Sequence, residues 1–310
     1  MELIEGIALS NLCDYSFGDQ SGQWGNIYTS FMKHPNLNNT EFVSKLFEVK
    51  KSFDYMTLFI DNIRLYKRDI IECKEEDFPY IQSLWENGDL LSLCAKFPAM
   101  KFIIFTNLED TPIDDYIFDS IPDNVLKICA VNAVANGGKV IPAPYGVQRK
   151  IHPHDNRMDY LKMIMEHTQK EFIKKLLYVS HNENSHSERF GTREMFINKE
   201  WTTVDTHRVN YDEFLLNLRE HKFMLCPRGN AIDCHRNWEV LYMRRVPIMK
   251  KHSYLQELFK DYPVLFVDDF AEVTEELLTD NDYLFQEAQG IDLSILDLNN
   301  FYNTTVKNAL

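Results

Sequence analysis

Residues 223–249 read FMLCPRGNAIDCHRNWEVLYMRRVPIM. This is a buried apolar strand, a Pro-Arg-Gly turn, an amphipathic helix and a second strand. Pro227 ends the first strand, and Gly229 lets the backbone approach a ligand closely. Asp233 stands where an N-cap belongs, and the free backbone N–H groups beyond it favour an anion. Arg228 lies in the same turn. Asp233, Arg236 and Glu239 fall three apart, and His235 and Glu239 four apart, so these residues share one helical face. Trp238, Leu241 and Tyr242 cover the core-facing side. Chemically, the Arg236 guanidinium can hold two phosphate oxygens while the helix terminus adds a favourable dipole. A carboxylate one turn further in, Glu239, can accept hydrogen bonds from ribose hydroxyls. The same spacing also describes a plain surface Arg–Glu pair, and spacing alone does not separate the two.

Those residues need a scaffold, and short apolar runs alternating with helical periodicity imply an α/β chain with parallel sheets. Strands are predicted at 3–9, 55–60, 101–105, 125–131, 177–180, 223–226, 246–249 and 264–267. Helical spacing marks 78–94, 160–176, 191–198, 211–220, 233–244 and 272–278. Gly137-Gly138 and the Pro142-Ala-Pro144-Tyr-Gly146 stretch are the strongest punctuation, so the domain junction is expected between 141 and 153. The division expected is 1–150 for an N-terminal domain on the acceptor side and 151–295 for a nucleotide-sugar-binding domain. A C-terminal helix at 296–310 is expected to return to the first domain.

The segment around Arg236 resembles the signature of the exostosin family of glycosyltransferases. There a strand, a Pro-x-Gly turn, an Arg and a Glu three residues later precede a small-x-Pro-Ile strand. The matching positions are Arg236, Glu239 and Pro247-Ile248. Upstream, LLYVSHNENSHSERFGTREMF is similar to the segment that supplies a further phosphate contact, with Arg193 the better match and Arg189 in reserve. Downstream, YPVLFVDDF resembles the strand and acidic pair before the family's last helices. The likeness covers about residues 175 to 285. It departs at Val240, Tyr242, Arg244 and Arg245, where the family favours Glu-Ala and a small Gly-Cys pair.

The resemblance implies a GT-B fold, two Rossmann-like domains facing across a cleft with the donor on the C-terminal one. It implies an inverting transfer from a nucleoside-diphosphate sugar to an acceptor hydroxyl, with no metal or other cofactor, the charge of the leaving diphosphate being met by arginines and a helix terminus. The donor set carried over is Arg189, Arg193, Pro227, Arg228, Gly229, Asp233, His235, Arg236 and Glu239. The acceptor is a glycan or a hydroxymethylated base in viral or phage DNA. The alternative is a catalytically silent GT-B-like protein that binds a nucleotide or glycan.

Inverting transfer needs a base for the acceptor hydroxyl. In GT-B folds the loop after the first strand faces the donor, here residues 11–25, where Asp19 is the candidate and Asp14 its alternative. Asp61 and Asp110 also follow strands. Asp268-Asp269 reads as a loop cap or structural acid. His152 and His154 lack the further ligands of a metal site and read as a polar junction loop. His181 and His186 lie in a polar turn near the expected donor phosphates.

Composition bounds these readings. The 310 residues are 45% apolar with a net charge of −14, which argues against a uniformly basic nucleic-acid surface. Arg149, Lys150 and Arg157, with Arg244, Arg245, Lys250 and Lys251, are the candidates for a local basic strip. Six scattered cysteines without paired spacing read as reduced thiols. With no run long and apolar enough for a membrane and no signal-like start, a cytoplasmic enzyme of viral or bacterial type is expected, in the host cytoplasm if viral. Oligomeric state is left open.

Overall fold

The computed structural model describes residues 1–17, 40–60, 65, 89–107, 110, 112–135, 137–148, 156–167 and 173–310. The chain is α/β and divides into two compact units. One comprises Glu2–Tyr145, Ile151–His154 and Leu298–Leu310; the other comprises Met1, Gly146–Lys150 and Asp155–Asp297.

In the first unit, helix α1 (Gly6–Leu12) precedes strand β1 (Tyr15–Ser16), helix α2 (Thr40–Lys50), β2 (Tyr55–Ile60) and helix α3 (Leu90–Ala95). Strands β3 (Lys101–Thr106), β4 (Val125–Ala130) and β5 (Val140–Pro142) follow. All five pair in parallel in the sequential order β1-β2-β3-β4-β5. β2 and β3 are near-continuous apolar runs, YMTLFI and KFIIFT, as strands buried on both faces require. The helix Leu298–Ala309 belongs to this unit: Tyr302 stacks on Phe105 with ring centroids 5.2 Å apart, and the Leu298 N–H donates to the Glu2 carbonyl at 2.9 Å.

The expected first strand at 3–9 is instead helical from Gly6. The Glu5 carboxylate accepts from the Ala8 N–H at 2.6 Å and so caps the helix. A seven-residue apolar run does not distinguish strand from buried helix, and this cap decides it. The first strand lies further on, inside the stretch expected to be loop.

In the second unit, helix α4 (Arg157–Glu166) leads to β6 (Lys175–Val179) and β7 (Thr202–Val204). Then come α5 (Tyr211–Arg219), β8 (His221–Leu225), α6 (His235–Tyr242), β9 (Val246–Lys250), α7 (Ser253–Leu258) and β10 (Leu265–Val267). Helices α8 (Glu275–Asp280) and α9 (Asp282–Gly290) complete it. The sheet is again all parallel, ordered β10-β9-β8-β6-β7. Leu177, Val179, Phe223, Leu225, Val246 and Ile248 form its core with Phe285 and Ala288 of α9.

Three helices expected here are corrected. Helix 160–176 ends at Glu166, because Lys175 and Leu176 enter the sheet, the Leu176 N–H bonding the Trp201 carbonyl at 3.1 Å. Residues 191–198 form successive turns rather than a helix: Gly191 and Asn198 take φ of 68° and 65°, in the left-handed region that interrupts a right-handed helix. The helix expected at 272–278 begins at Glu275 behind a Thr274 cap, after a short 3₁₀ turn, Phe270–Glu272, that Asp269 caps.

Candidate functional site

From β6 the chain steps to β7 on one side, then crosses back to place β8 on the other. Counted within this unit, the order is 2-1-3-4-5, and its reversal lies between β6 and β8. In open parallel sheets the loops leaving the carboxyl ends of two such strands diverge, and the crevice between them is where ligands bind. The segment after β6 carries His181, Arg189 and Arg193; the segment after β8 carries residues 226–234 and opens into α6. In the sequential first unit no such reversal occurs among the described residues.

Arg189 is buried and holds these two segments together. Its Nε donates to the Arg228 carbonyl at 2.8 Å, its Nη2 to the Pro227 carbonyl at 3.1 Å and its Nη1 to the Asn182 carbonyl at 3.2 Å. A methyl group at Gly229 would stand 3.3 Å from that Nη2. The lack of a side chain at Gly229 thus admits the close approach of the Arg189 side chain. Arg228 is half-buried; its backbone N–H donates to Glu188 Oε2 at 3.3 Å and its Nη2 to the Asn230 carbonyl at 3.1 Å. Arg193 pairs with Glu183 at 2.8 Å and donates to the Asp205 carbonyl at 3.2 Å.

Helix α6 is two residues shorter at each end than the expected 233–244. Cys234 occupies the N-cap without a side-chain cap bond, while Asp233 is wholly buried just before it. The Asp233 carboxylate accepts from Asn237 Nδ2 at 2.9 Å and from Trp238 Nε1 at 2.7 Å. A buried indole N–H requires an acceptor, and supplying it draws Asp233 away from the capping role. His235 has its Nδ1 2.8 Å from the Gly146 carbonyl.

Arg236 shares one feature with Arg228, whose Nε is likewise buried without a hydrogen-bond partner. The Arg236 guanidinium lies over the Phe214 ring, 5.7 Å from its centroid, and its Nε is buried without a hydrogen-bond partner. Glu239 is buried one turn further on, with Oε1 accepting from Tyr211 Oη at 3.0 Å. Burial pushes its carboxyl up, against the opposing influence of Arg236, Tyr211 and Arg157. The simple surface pair is thereby excluded, since Glu239 is interior. Tyr211, whose hydroxyl orients Glu239, lies 28 residues away and carries no motif that would have marked it.

His181, two residues beyond β6, is 6% exposed, and neither ring nitrogen has a hydrogen-bond partner. Burial, then the positive charges of Arg236, Arg189 and Arg193, lower its pKa to about 3, with the Arg189 main chain partly opposing them.

Among the base candidates, Asp19 and Asp61 lie outside the described residues, as do His152 and His154. Asp14 sits opposite Thr57, near the middle of β2. It accepts from the Thr57 N–H and hydroxyl, each at 2.8 Å, and donates its own N–H to that hydroxyl at 2.9 Å. Three residues short of the end of β2, it stands about 10 Å below the carboxyl edge and serves the sheet. Asp110, beyond β3, accepts from Tyr145 Oη at 3.0 Å.

Among the described members of the candidate basic strip, each has a partner within the fold. Arg245 is fully buried and donates to the carbonyls of Arg219, Met243 and Arg244. Arg244 donates to the carbonyls of Gln289 and Ile291, both at 2.8 Å. Lys250 and Lys251 pair with Asp269 and Asp268, both at 2.7 Å. Arg157 donates to Gln148 and lies over the Tyr211 ring; Arg149 and Lys150 fall outside the described residues. Among the described residues no group of His, Cys, Asp and Glu could hold a metal ion, and no helix is long and apolar enough to cross a membrane. No protein-family model and no curated protein matches the chain.

Proposed function

We propose that this protein is an inverting glycosyltransferase of the GT-B class that takes a sugar from a nucleoside-diphosphate donor and passes it to an acceptor hydroxyl. The observation that carries this reading is the Arg236 guanidinium, which has no hydrogen bond or ion pair and stands at the opening of α6 beside the β6/β8 crevice. The group is half-buried over the Phe214 ring with its Nε shielded from water, so its donors are left for an anion such as a diphosphate. Glu239 spends one oxygen on Tyr211 and leaves the other to accept from a ribose hydroxyl. Arg189 acts behind them, as a brace that fixes the turn after β8.

In the reaction the anomeric carbon–oxygen bond to the diphosphate breaks, and the bonding pair leaves with the phosphate oxygen. Arg236 meets that developing charge, the task a metal ion performs in other transferases. The acceptor oxygen forms the new bond on the opposite face as a base removes its proton. Asp19 remains the proposed base. With Arg244, Arg245, Lys250 and Lys251 engaged within the unit, a glycan is favoured over DNA as the acceptor.

A thermal-shift panel of nucleotide sugars tests the donor, since a ligand bound only to the folded state raises the midpoint by mass action. A rise with at least one nucleotide sugar, and slow hydrolysis of that donor without acceptor, are expected. No shift across the panel would remove the reading; binding without any turnover would leave a nucleotide-binding protein.

A further inference from the structure

The donor site contains a side chain that its phosphate contacts do not use. His181 is buried at the carboxyl end of β6 with no well-formed hydrogen bond at either ring nitrogen, the Arg189 main chain being a weak polar neighbour. Arg236, whose charge acts on the ring, has its Nε buried without a partner. A buried polar atom without a partner is a cost a fold does not ordinarily keep, and an unfilled ligand site is one of the few reasons to keep it. The surrounding charges come from three places. Arg236 faces the ring from α6, Arg189 from the brace after β6 and Arg193 from the turns beyond, while Glu183, paired to Arg193, is the nearby acid.

We propose that His181 is the proton-linked member of this anion site, neutral when the site is empty and protonated when a diphosphate is held at the Arg236 guanidinium. The inference rests on the donor reading above. Burial, and then three positive charges, keep the ring neutral in the empty site. A bound diphosphate offsets those charges and offers the acceptors that the ring lacks. One negative charge about 4 Å away, at an effective dielectric constant of about 20, shifts a protonation equilibrium by roughly three decades. That suffices to bring His181 from an acidic range to near neutrality. As imidazolium it would add a further hydrogen-bond donor to the leaving diphosphate.

Titration calorimetry on the full chain tests this, using whichever of UDP-glucose, UDP-N-acetylglucosamine and GDP-mannose binds most tightly. The diphosphate diester of these probes does not titrate between pH 5 and 8, so any proton taken up enters the protein. In buffers of different ionisation enthalpy, wild type is expected to take up a substantial fraction of one proton near pH 6. Its Kd is expected to fall by up to tenfold for each unit of decreasing pH. His181→Gln should bind with no proton uptake and a flat profile of Kd against pH, and His181→Asn serves if that variant does not fold. Arg236→Ala should lose binding at every pH. Wild-type binding without proton uptake, or unchanged uptake in the His181 variants, overturns the proposal and leaves the donor site standing. If none of the three probes binds wild type, the donor reading fails and this inference fails with it.

Discussion

At the scale of single residues, Arg236 and Glu239 separate by what each leaves unsatisfied. Arg236 makes no hydrogen bond within the fold, so the role proposed for it lies with the leaving charge. Arg236→Ala is expected to cost about 2–4 kcal/mol of transition-state stabilisation, read as a fall in kcat/KM. A variant with near-normal kcat/KM would refute that role. Glu239 is interior and already held by Tyr211. Glu239→Gln keeps the shape and removes the charge, so folding should persist while affinity for the free nucleoside diphosphate drops. Equal affinities would argue against a ribose contact. Asp19→Asn is expected to cut kcat by a hundredfold or more with donor affinity unchanged. If activity persists, Asp110→Asn is the next variant to assay. That Arg236 and Glu239 share one helix was legible from their spacing, whereas the burial of Glu239 against Tyr211 was not. Asp233 was misread because its partner, the Trp238 indole, becomes visible only when the helix is packed.

At the scale of elements, the turn after β8 is held from outside itself. Arg189 donates to three main-chain carbonyls, two of them in that turn. Arg189→Ala would strand those acceptors, and a loss of about 3 kcal/mol is expected in denaturant unfolding. Arg189→Lys should recover little, since an ammonium lacks the planar fork that reaches all three. A lysine variant as stable as wild type would show that charge, not geometry, holds the turn. The strands were the most legible elements: YMTLFI and KFIIFT declare a doubly buried parallel sheet by composition alone. Residues 191–198 were not legible, because helical spacing of apolar residues says nothing of the left-handed φ at Gly191 and Asn198. Strand order was also beyond the sequence, since the reversal between β6 and β8 depends on which edge β7 joins.

At the scale of the whole molecule, two buried histidines make stability depend on pH. His181 falls to about 3, and His221, buried with Nδ1 at the Asn217 carbonyl and Nε2 at Thr203 Oγ1, to about 4. Burial is the leading cause for both. Their folded pKa values lie below the unfolded value near 6.5, so in that interval the unfolded chain binds protons that the folded chain does not. Their contribution is complete above about pH 6.5 and is lost as pH falls toward 4 and then 3. Each adds up to about 1.4 kcal/mol per pH unit to the slope. Thermal midpoints between pH 7 and 4.5 should drop accordingly, and His221→Gln should flatten the drop even if it lowers the midpoint at pH 7. The packing of Leu298–Ala309 with Glu2–Tyr145 sets a different condition, one of timing. A ribosome adding about 5–20 residues per second needs roughly 8–30 s to pass from Tyr145 to Leu298. Through that interval Phe105 lacks the ring of Tyr302, and the Thr57 hydroxyl lacks its phenol. The half of the chain made first is therefore finished last, and a nascent chain halted before Leu298 should remain a substrate for chaperones and proteases.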